Sequence, residues 1–501
     1  MYRFIQQLSM TSHNRILYWF RNDLRLHDNE GFAAACMQAR QVLPVYVFDP
    51  AAFRLLPTLN LKKTGLLRTN FLLEAVADLR SSLRARGGDL IVRVGDPARV
   101  LADLAEEIEA DAIYASKEVT SEETDVESAL SKRLKPLNID IEFFWTSTLY
   151  HVRDLPFNVV KLPDVFTAFR QQVEKHVQVR SLVATPDRIN LAGHIEAGSL
   201  PTPDTFGFDA ETQAVAARPD NRAAVPFKGG ESVALARLNA YIWGRELLKT
   251  YKETRNGLLG EDYSSKFSAW LAHGCLSPRQ LYHEIKRYEQ ERVANESTYW
   301  LIFELIWRDF FRFVALKFGT RIFKPSGIRY DITKKWDHDL ALFHQWTEGQ
   351  TGIPFIDANM RELRRTGFMS NRGRQNVASF LVKDLGIDWT WGAMWFESQL
   401  VDYDPCSNWG NWNYQAGVGN DPRSGNGNQP RYFNILGQAS RYDEQGAYVK
   451  HWLPELSNVP ADKVHQVSTL TPAEQTAYGV TLGNQYPLPI VDPAKWQAEA
   501  R

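Results

Sequence analysis

Strand-like apolar runs crowd into the first quarter of the chain, where they alternate with helical stretches, and this segregation limits the fold more than any other feature. RILYWF opens at Arg15. The polar turn RNDLRLHDNEG and an Ala-rich helical stretch follow, and VLPVYVF reaches Phe48 as a second buried strand. The spacing then predicts a helix over 65–86, a strand over 89–94, a helix over 97–109 and a strand over 112–115. Strands separated by amphipathic helices form a parallel, doubly wound sheet. No GxGxxG follows the first strand, so the usual dinucleotide fingerprint is missing. A ligand of this domain belongs at the carboxyl ends of the strands, near loop 116–121. From Glu231 onward helical periodicity replaces alternation. The expected organisation is an extension over 1–14, an α/β domain over 15–150, a connector over 151–228, a helical domain over 229–480 and a tail over 481–501.

With 501 residues, 44% of them hydrophobic, the chain supports two or three cored domains, which excludes a single small binding module. A formal net charge of −1 gives no global attraction to a polyanion, so any nucleic-acid contact must come from a local basic surface. Cys36, Cys275 and Cys406 form no CxxC pair, which argues against zinc or a disulfide framework and for a reducing compartment. No signal-peptide or membrane-spanning run is seen, and Met10 is an alternative initiator to Met1. Thirteen of the 15 tryptophans follow residue 240. Each carries an N–H that needs a partner, so a cofactor or base-stacking site is favoured over a merely aromatic core.

The segment 297–313, STYWLIFELIWRDFFRF, places Trp300, Phe303, Glu304, Trp307, Arg308 and Phe311 on or near one helical stripe. Glu304 and Arg308 have i,i+4 spacing, worth about 0.2–0.5 kcal/mol as a plain helix pair. Flanked by Trp300 and Trp307, a carboxylate here suits recognition of a planar heterocycle. In DYSSKFSAWLAHGCLSPR, residues 262–279, Ser264, Ser265, Ser268 and Lys266 gather hydroxyl, amide and cationic groups suited to phosphate oxygens. Ordinary helix caps are the alternative. Arg361, Arg364, Arg365, Arg372, Arg374 and Lys383 stand against the single Glu362. That run reads as a phosphate platform, with a solvated helix face as the alternative. Asp402, Asp404 and Asn408 follow in a turn-rich segment where Pro405 and Gly410 limit helix extension. They offer polar contacts to a heteroaromatic ring or partners for nearby cations. A metal reading lacks a matching third ligand.

Five blocks carry a resemblance: WFRNDLRLHDN near residue 19, DYSSKFSAWLAHGCLSPR, YWLIFELIWRDFF, TGIPFIDANMRELRRTGFMSNRGRQNVASFL and DYDPCSNWGNWNY. In that order the chain resembles the cryptochrome and photolyase family, and within it the DASH-type cryptochromes, over essentially all of 15–460. The resemblance implies an α/β antenna domain followed by an all-helical domain that holds FAD in a folded, U-shaped conformation. It places Ser264, Ser265 and Ser268, with the backbone around Lys266, near the diphosphate. Arg374 and Asp402 would lie against the isoalloxazine, Asp404 near the ring or ribityl chain, and Asn408 at N5, where a neutral amide tolerates several redox states of the ring. Tyr251, Phe267, Trp300, Arg308 and Asn371 are further implied flavin contacts. Trp412, Trp389 and Trp336, in that order from flavin to surface, match the family's electron-transfer chain.

Glu304 is implied to hydrogen-bond a pyrimidine dimer and Trp307 to stack on it, with Arg372 also on the substrate side. Gln375 stands where a methionine usually lies and Tyr414 where a second lesion-contacting tryptophan does. A lost indole face removes part of the roughly 1–3 kcal/mol per stacked base, comparable to the cost of flipping a lesion from duplex DNA. The implied activity is therefore blue-light-driven repair of cyclobutane pyrimidine dimers, preferentially in single-stranded DNA. A blue-light photoreceptor with nucleic-acid binding and a signalling role is the alternative. A six-four photolyase is disfavoured because no pair of lesion-facing histidines is found. The family implies 5,10-methenyltetrahydrofolate as antenna, with Glu118, Glu122 and Lys324 as candidate contacts, each equally a plain surface residue. A monomer without membrane attachment is expected, cytoplasmic if bacterial, with no carboxy-terminal signalling extension.

Overall fold

The computed structural model describes residues 12–56, 58–193, 195–216, 220–423 and 432–498. The proposed start at Met10 and the last three residues of the tail lie outside them. Five strands, β1 (His13–Phe20), β2 (Ala39–Phe48), β3 (Ile91–Val94), β4 (Ala112–Ser116) and β5 (Asp140–Phe144), form one parallel sheet in the order β3-β2-β1-β4-β5. Crossovers run through α1 (Glu30–Gln38), α2 (Leu66–Arg84), α3 (Pro97–Glu107) and α4 (Ser121–Leu134). The apolar runs are continuous because both sheet faces are buried. Leu17, Leu43 and Ile113 pack against Leu101 of α3 and Leu130 of α4. The alternate residues Ile16, Tyr18 and Val42 join the main core on the other face. β1 starts at His13, two residues before the expected position. β5 and α4 extend the pattern beyond the expected elements, since DIEFF is short and α4 buries only Glu127, Leu130 and Leu134.

The strand order reverses at β1, where open α/β sheets bind ligands. Here protein fills that edge. Arg25, after β1, donates to the carbonyls of Thr146 at 3.0 Å and Gly274 at 2.9 Å. Asp28 takes a bidentate ion pair from Arg279, at 2.8 and 3.0 Å, with both side chains buried. Glu231 accepts the amides of Leu26 and His27. The polar block after β1 is thus a plug into the helical domain. A side chain at Gly274 would collide with the backbone of Asn22, so glycine permits the approach.

Beyond Glu231 the described residues show only isolated bridges and otherwise helices and loops. The principal ones are α5 (Glu296–Phe318), α6 (Pro354–Thr366), α7 (Asn371–Ser379), α8 (Trp389–Gln399) and α9 (Pro405–Ala416). Asn295 and Thr298 form a reciprocal cap at the start of α5. The segment expected to be turn-rich around Pro405 and Gly410 is instead helix. Pro405 is its first residue, where a missing N–H costs nothing, and Gly410 lets α9 press against Phe311. The segment 151–228 is more than a spacer, because its helix Phe166–His176 packs on α5 and Phe166 stacks on Trp307, centroids 3.6 Å apart. No helix among the described residues is long and apolar enough to cross a membrane.

Breaking one partner of a buried ion pair leaves the other charge uncompensated. Arg279→Leu is therefore expected to lower stability by about 3–5 kcal/mol, read as the urea midpoint, and an unchanged midpoint contradicts this role for the plug.

Candidate functional site

A cavity of about 480 Å³ opens between α5, loop 251–272, α7 and the α8–α9 turn, within the size range of small-molecule sites. Its polar wall begins with the loop before the short helix Ser268–Ala272. Arg237, buried, donates to the carbonyls of Glu261, Ser264 and Ser265. Lys266 adopts a left-handed conformation, φ +56°, and the next residue returns to the right-handed region. Such a pair of conformations forms an anion-binding nest of backbone amides. The Lys266 ammonium turns away, donating to the Glu261 carbonyl at 2.9 Å and lying 3.4 Å from the Tyr263 ring centre, and burial lowers its pKa to about 7. Hydroxyls and backbone, rather than the ammonium, are the phosphate-facing chemistry. Ser264, Ser265, Lys266, Phe267 and Ser268 all line the cavity.

Opposite them, Asp402 accepts from Ser268 at 2.6 Å and from Arg374 at 2.8 Å through the same oxygen, Oδ2. Its Oδ1 is buried and has no partner. An unmet buried acceptor costs about 1–3 kcal/mol, and an N–H or hydroxyl of a ring-bearing ligand relieves that cost. Asp404 lines the cavity while capping α9, accepting from the Ser407 amide at 2.7 Å. Asn408 donates through Nδ2 to the Ala393 carbonyl at 3.1 Å, which leaves its carbonyl oxygen as the acceptor for a ligand. Tyr251 and Asn371 also line the space. These groups fit the diphosphate, ribityl and ring portions of FAD.

Glu304 and Trp307 face the same cavity from α5, with Gln375 and Tyr414 nearby. The local Glu304–Arg308 pair is not formed. Glu304 instead meets Arg255, and Arg308 donates to the carbonyls of Ser147 and Leu271, so Arg308 lines the cavity with its donors engaged elsewhere. Burial pushes the Glu304 carboxyl up, against the Arg255 charge. Trp300 is not a lining residue. It stands behind the ion pair with Lys252 and Arg255 over its ring, at 4.9 and 5.6 Å. Trp307 offers the cavity less than a free indole would, because Phe166 covers one face. Arg372 also lies outside the lining. It donates to Gln375 at 2.9 Å and Asn256 at 3.2 Å, and holds Gln375 in place.

Trp412 lines the cavity and packs on Phe396. Trp389 is wholly buried, and Trp336 is half-buried at the surface. The indoles of Trp389 and Trp336 donate to one carbonyl, that of Pro325, at 3.0 and 3.2 Å, which brings this pair together. Trp409 stands beside Trp389 and donates to Tyr403. Only Trp307 and Trp412 of the late tryptophans line the cavity, so most of the tryptophan excess is core, as with Trp270 and Trp346, whose N–H groups meet backbone carbonyls.

The three antenna candidates are not brought together. Glu118 is buried against Arg312 at 2.7 Å and Asn22 at 3.3 Å. Glu122 pairs with Arg54 and Lys63 at the surface, and Lys324 lines a separate hollow with Trp336. The run 361–383 is not a continuous platform either. Arg361 pairs with Glu455, Arg364 with Glu348 and Arg374 with Asp402, while Glu362 is buried on Tyr448 and pushed up to about 8 by burial. Sequence neighbours conceal these long-range partners. Arg237 and Arg255, both central here, carry no local sequence signal.

A family model described as DNA photolyase matches residues 16–188, and one described as the FAD binding domain of DNA photolyase matches 300–501. A Synechocystis cryptochrome of known structure superposes with a TM-score of 0.91 at 50% identity, covering 97% of this chain and 98% of that one. A class III photolyase from Agrobacterium tumefaciens superposes at 0.84 with 29% identity, covering 99% and 98%. Fold and cavity define a protein of the photolyase and cryptochrome class with an FAD-binding domain. A cryptochrome DASH of Gloeobacter violaceus is 51% identical over 477 residues, 95% of this chain and 93% of that one. The chain belongs to the DASH cryptochromes.

Because Trp389 is wholly buried and shares the Pro325 carbonyl with the surface indole Trp336, Trp389→Phe is expected to slow light-driven flavin reduction while FAD content is retained. Reduction at the unaltered rate, followed by absorbance with an external donor, would show that another route dominates.

Proposed function

We propose that this protein repairs cyclobutane pyrimidine dimers under blue light, with preference for single-stranded DNA. The observation that carries the reading is a buried carboxyl, Glu304, paired with Arg255 and sharing one cavity with Trp307 and the Ser268–Asp402–Arg374 cluster. Ser264, Ser265, the backbone at Lys266 and Arg374 with Asp402 would hold FAD. Reduced FAD held there would supply a light-excited electron to open the two carbon–carbon bonds of the cyclobutane ring and would take it back afterwards, so the reaction has no net redox change. Glu304 presents a carboxyl whose acid form persists above the usual range, able to donate a hydrogen bond to a base carbonyl as charge builds on it. Arg255 fixes its position. Trp307, backed by Phe166, is a rigid stacking face, and Tyr414 meets it edge-on. Trp412, Trp389 and Trp336 would carry the hole from the cavity to the surface.

For the DNA strand, one cation of the run 361–383, Arg372, stands beside the cavity-lining Gln375. Arg372 lies close to Arg255 and Arg441, and the charges of those two help burial to lower its pKa. Its side-chain partners are the neutral Gln375, Asn256 and the Tyr442 ring. Such a cluster suits the phosphates flanking an extruded dimer. A single strand avoids the pairing cost that this small cluster must otherwise repay. For the antenna, we propose methenyltetrahydrofolate near the seam where Lys63 bridges Glu122 to Glu397 of α8. The half-buried Trp336 favours a second reading, light reception signalled through flavin redox state.

The raised Glu304 pKa fixes a sign. Its acid form is lost as pH rises through that pKa, so repair should fall as pH rises through it, and Glu304→Gln should be slower with a flatter profile. Repair assays with reduced enzyme, on matched single-stranded and duplex oligonucleotides at fixed salt, test both parts. Equal efficiency on the two substrates would refute the preference, and an unaltered profile in Glu304→Gln would remove the acid role.

A further inference from the structure

A second cavity, about 440 Å³, opens at the surface where the tryptophan series ends. Trp336 forms part of its wall, and Tyr330 and Ile332, each 66% exposed, stand at its edge. Tyr330 is held in a left-handed conformation, φ +57°, that non-glycine residues rarely adopt. Lys334 donates to the Ala416 carbonyl at 2.7 Å and lies 5.9 Å from the centre of the Trp336 ring. Lys324 is exposed on the same wall. The carboxylate on the wall, Asp331, is engaged by Thr333 at 2.6 Å. Arg329 and Lys383 stand behind Lys334, with Asp421 beside Lys383. The hollow therefore combines exposed apolar side chains, one indole and a local excess of cations.

We infer that this hollow docks a small anionic reductant of the ene-diolate class, which refills Trp336 after light-driven electron transfer. The inference rests on the tryptophan path proposed above. A cation beside the indole disfavours positive charge on it. An anion bound between Lys324 and Lys334 neutralises that field at the place where the electron must enter, and Tyr330 and Ile332 shelter its ring from water. One electron passes from the ene-diolate to the oxidised Trp336 indole, which returns to its neutral state. The donor, oxidised by one electron, releases its remaining enolic proton to solvent.

Ascorbate is the probe. In the dark, saturation-transfer NMR on the FAD-loaded protein should detect its binding, and under blue light the reduction rate should saturate with ascorbate at fixed ionic strength. Lys324→Glu should raise the half-saturating concentration by about tenfold, the scale of one reversed charge close to an anion, and Ile332→Ser should raise it less. A rate that climbs linearly with ascorbate in the parent and is unaltered by Lys324→Glu overturns the docking site. In Trp336→Phe, reduction should be lost. Reduction at the parent rate in that variant overturns the electron path, and the role of the hollow with it.

Discussion

The arrangement depends on how α5 is tied to the α/β domain. Asp309, fully buried, accepts the backbone amides of Leu149 and Tyr150 at 2.9 and 2.8 Å. Beside it, Arg308 reaches the carbonyls of Ser147 and Leu271, and Arg312 meets Glu118 and the Lys117 carbonyl. Leaving such buried charges unpaired is costly, so these residues favour one seating of the two domains. Glu304, Trp307 and Phe311, at i, i+3 and i+7, project from the neighbouring face of the same rigid helix into the cavity. Domain placement and the position of the Glu304 carboxyl are therefore a single geometry.

This explains what could be read from the residues and what could not. The sheet was legible because burial on both faces leaves continuous apolar runs, as in RILYWF and VLPVYVF, whereas polar α4 and short β5 leave a faint trace. Motif resemblance located Ser264, Ser268, Arg374, Asp402 and Asn408, and they do share one cavity. Local spacing assigns Arg308 to Glu304, yet Arg255, 49 positions away, takes that place because Arg308 is needed at the domain seam. The same cause alters the charge reading of 361–383, where Arg361, Arg364 and Arg374 find Glu455, Glu348 and Asp402 from distant segments. Helical spacing carries no information about partners brought in by tertiary folding.

Charge placement also separates two tasks. At the cavity, cations such as Arg374 and Arg255 are matched one-to-one by Asp402 and Glu304, which fixes geometry more than it attracts ligand. Among the described residues Arg372 has only neutral partners, and Lys334 donates to a carbonyl, so their charge stays available to an approaching anion. A nearly neutral chain can in this way present local positive potential at two mouths without a globally basic surface.

Two missing methyl groups hold the cavity wall in place. A side chain at Gly392 would collide with the Trp412 ring, and one at Gly410 would collide with Phe311. α9 is therefore pressed between α8 on one side and α5 on the other, at a separation that any Cβ at these points would widen. Asn408 and Trp412 lie on α9 within that clamp, and Asn408 is further tied to Ala393 of α8. Asn408 and Trp412 thus share one support, and a shift of α9 moves both relative to Glu304 on α5.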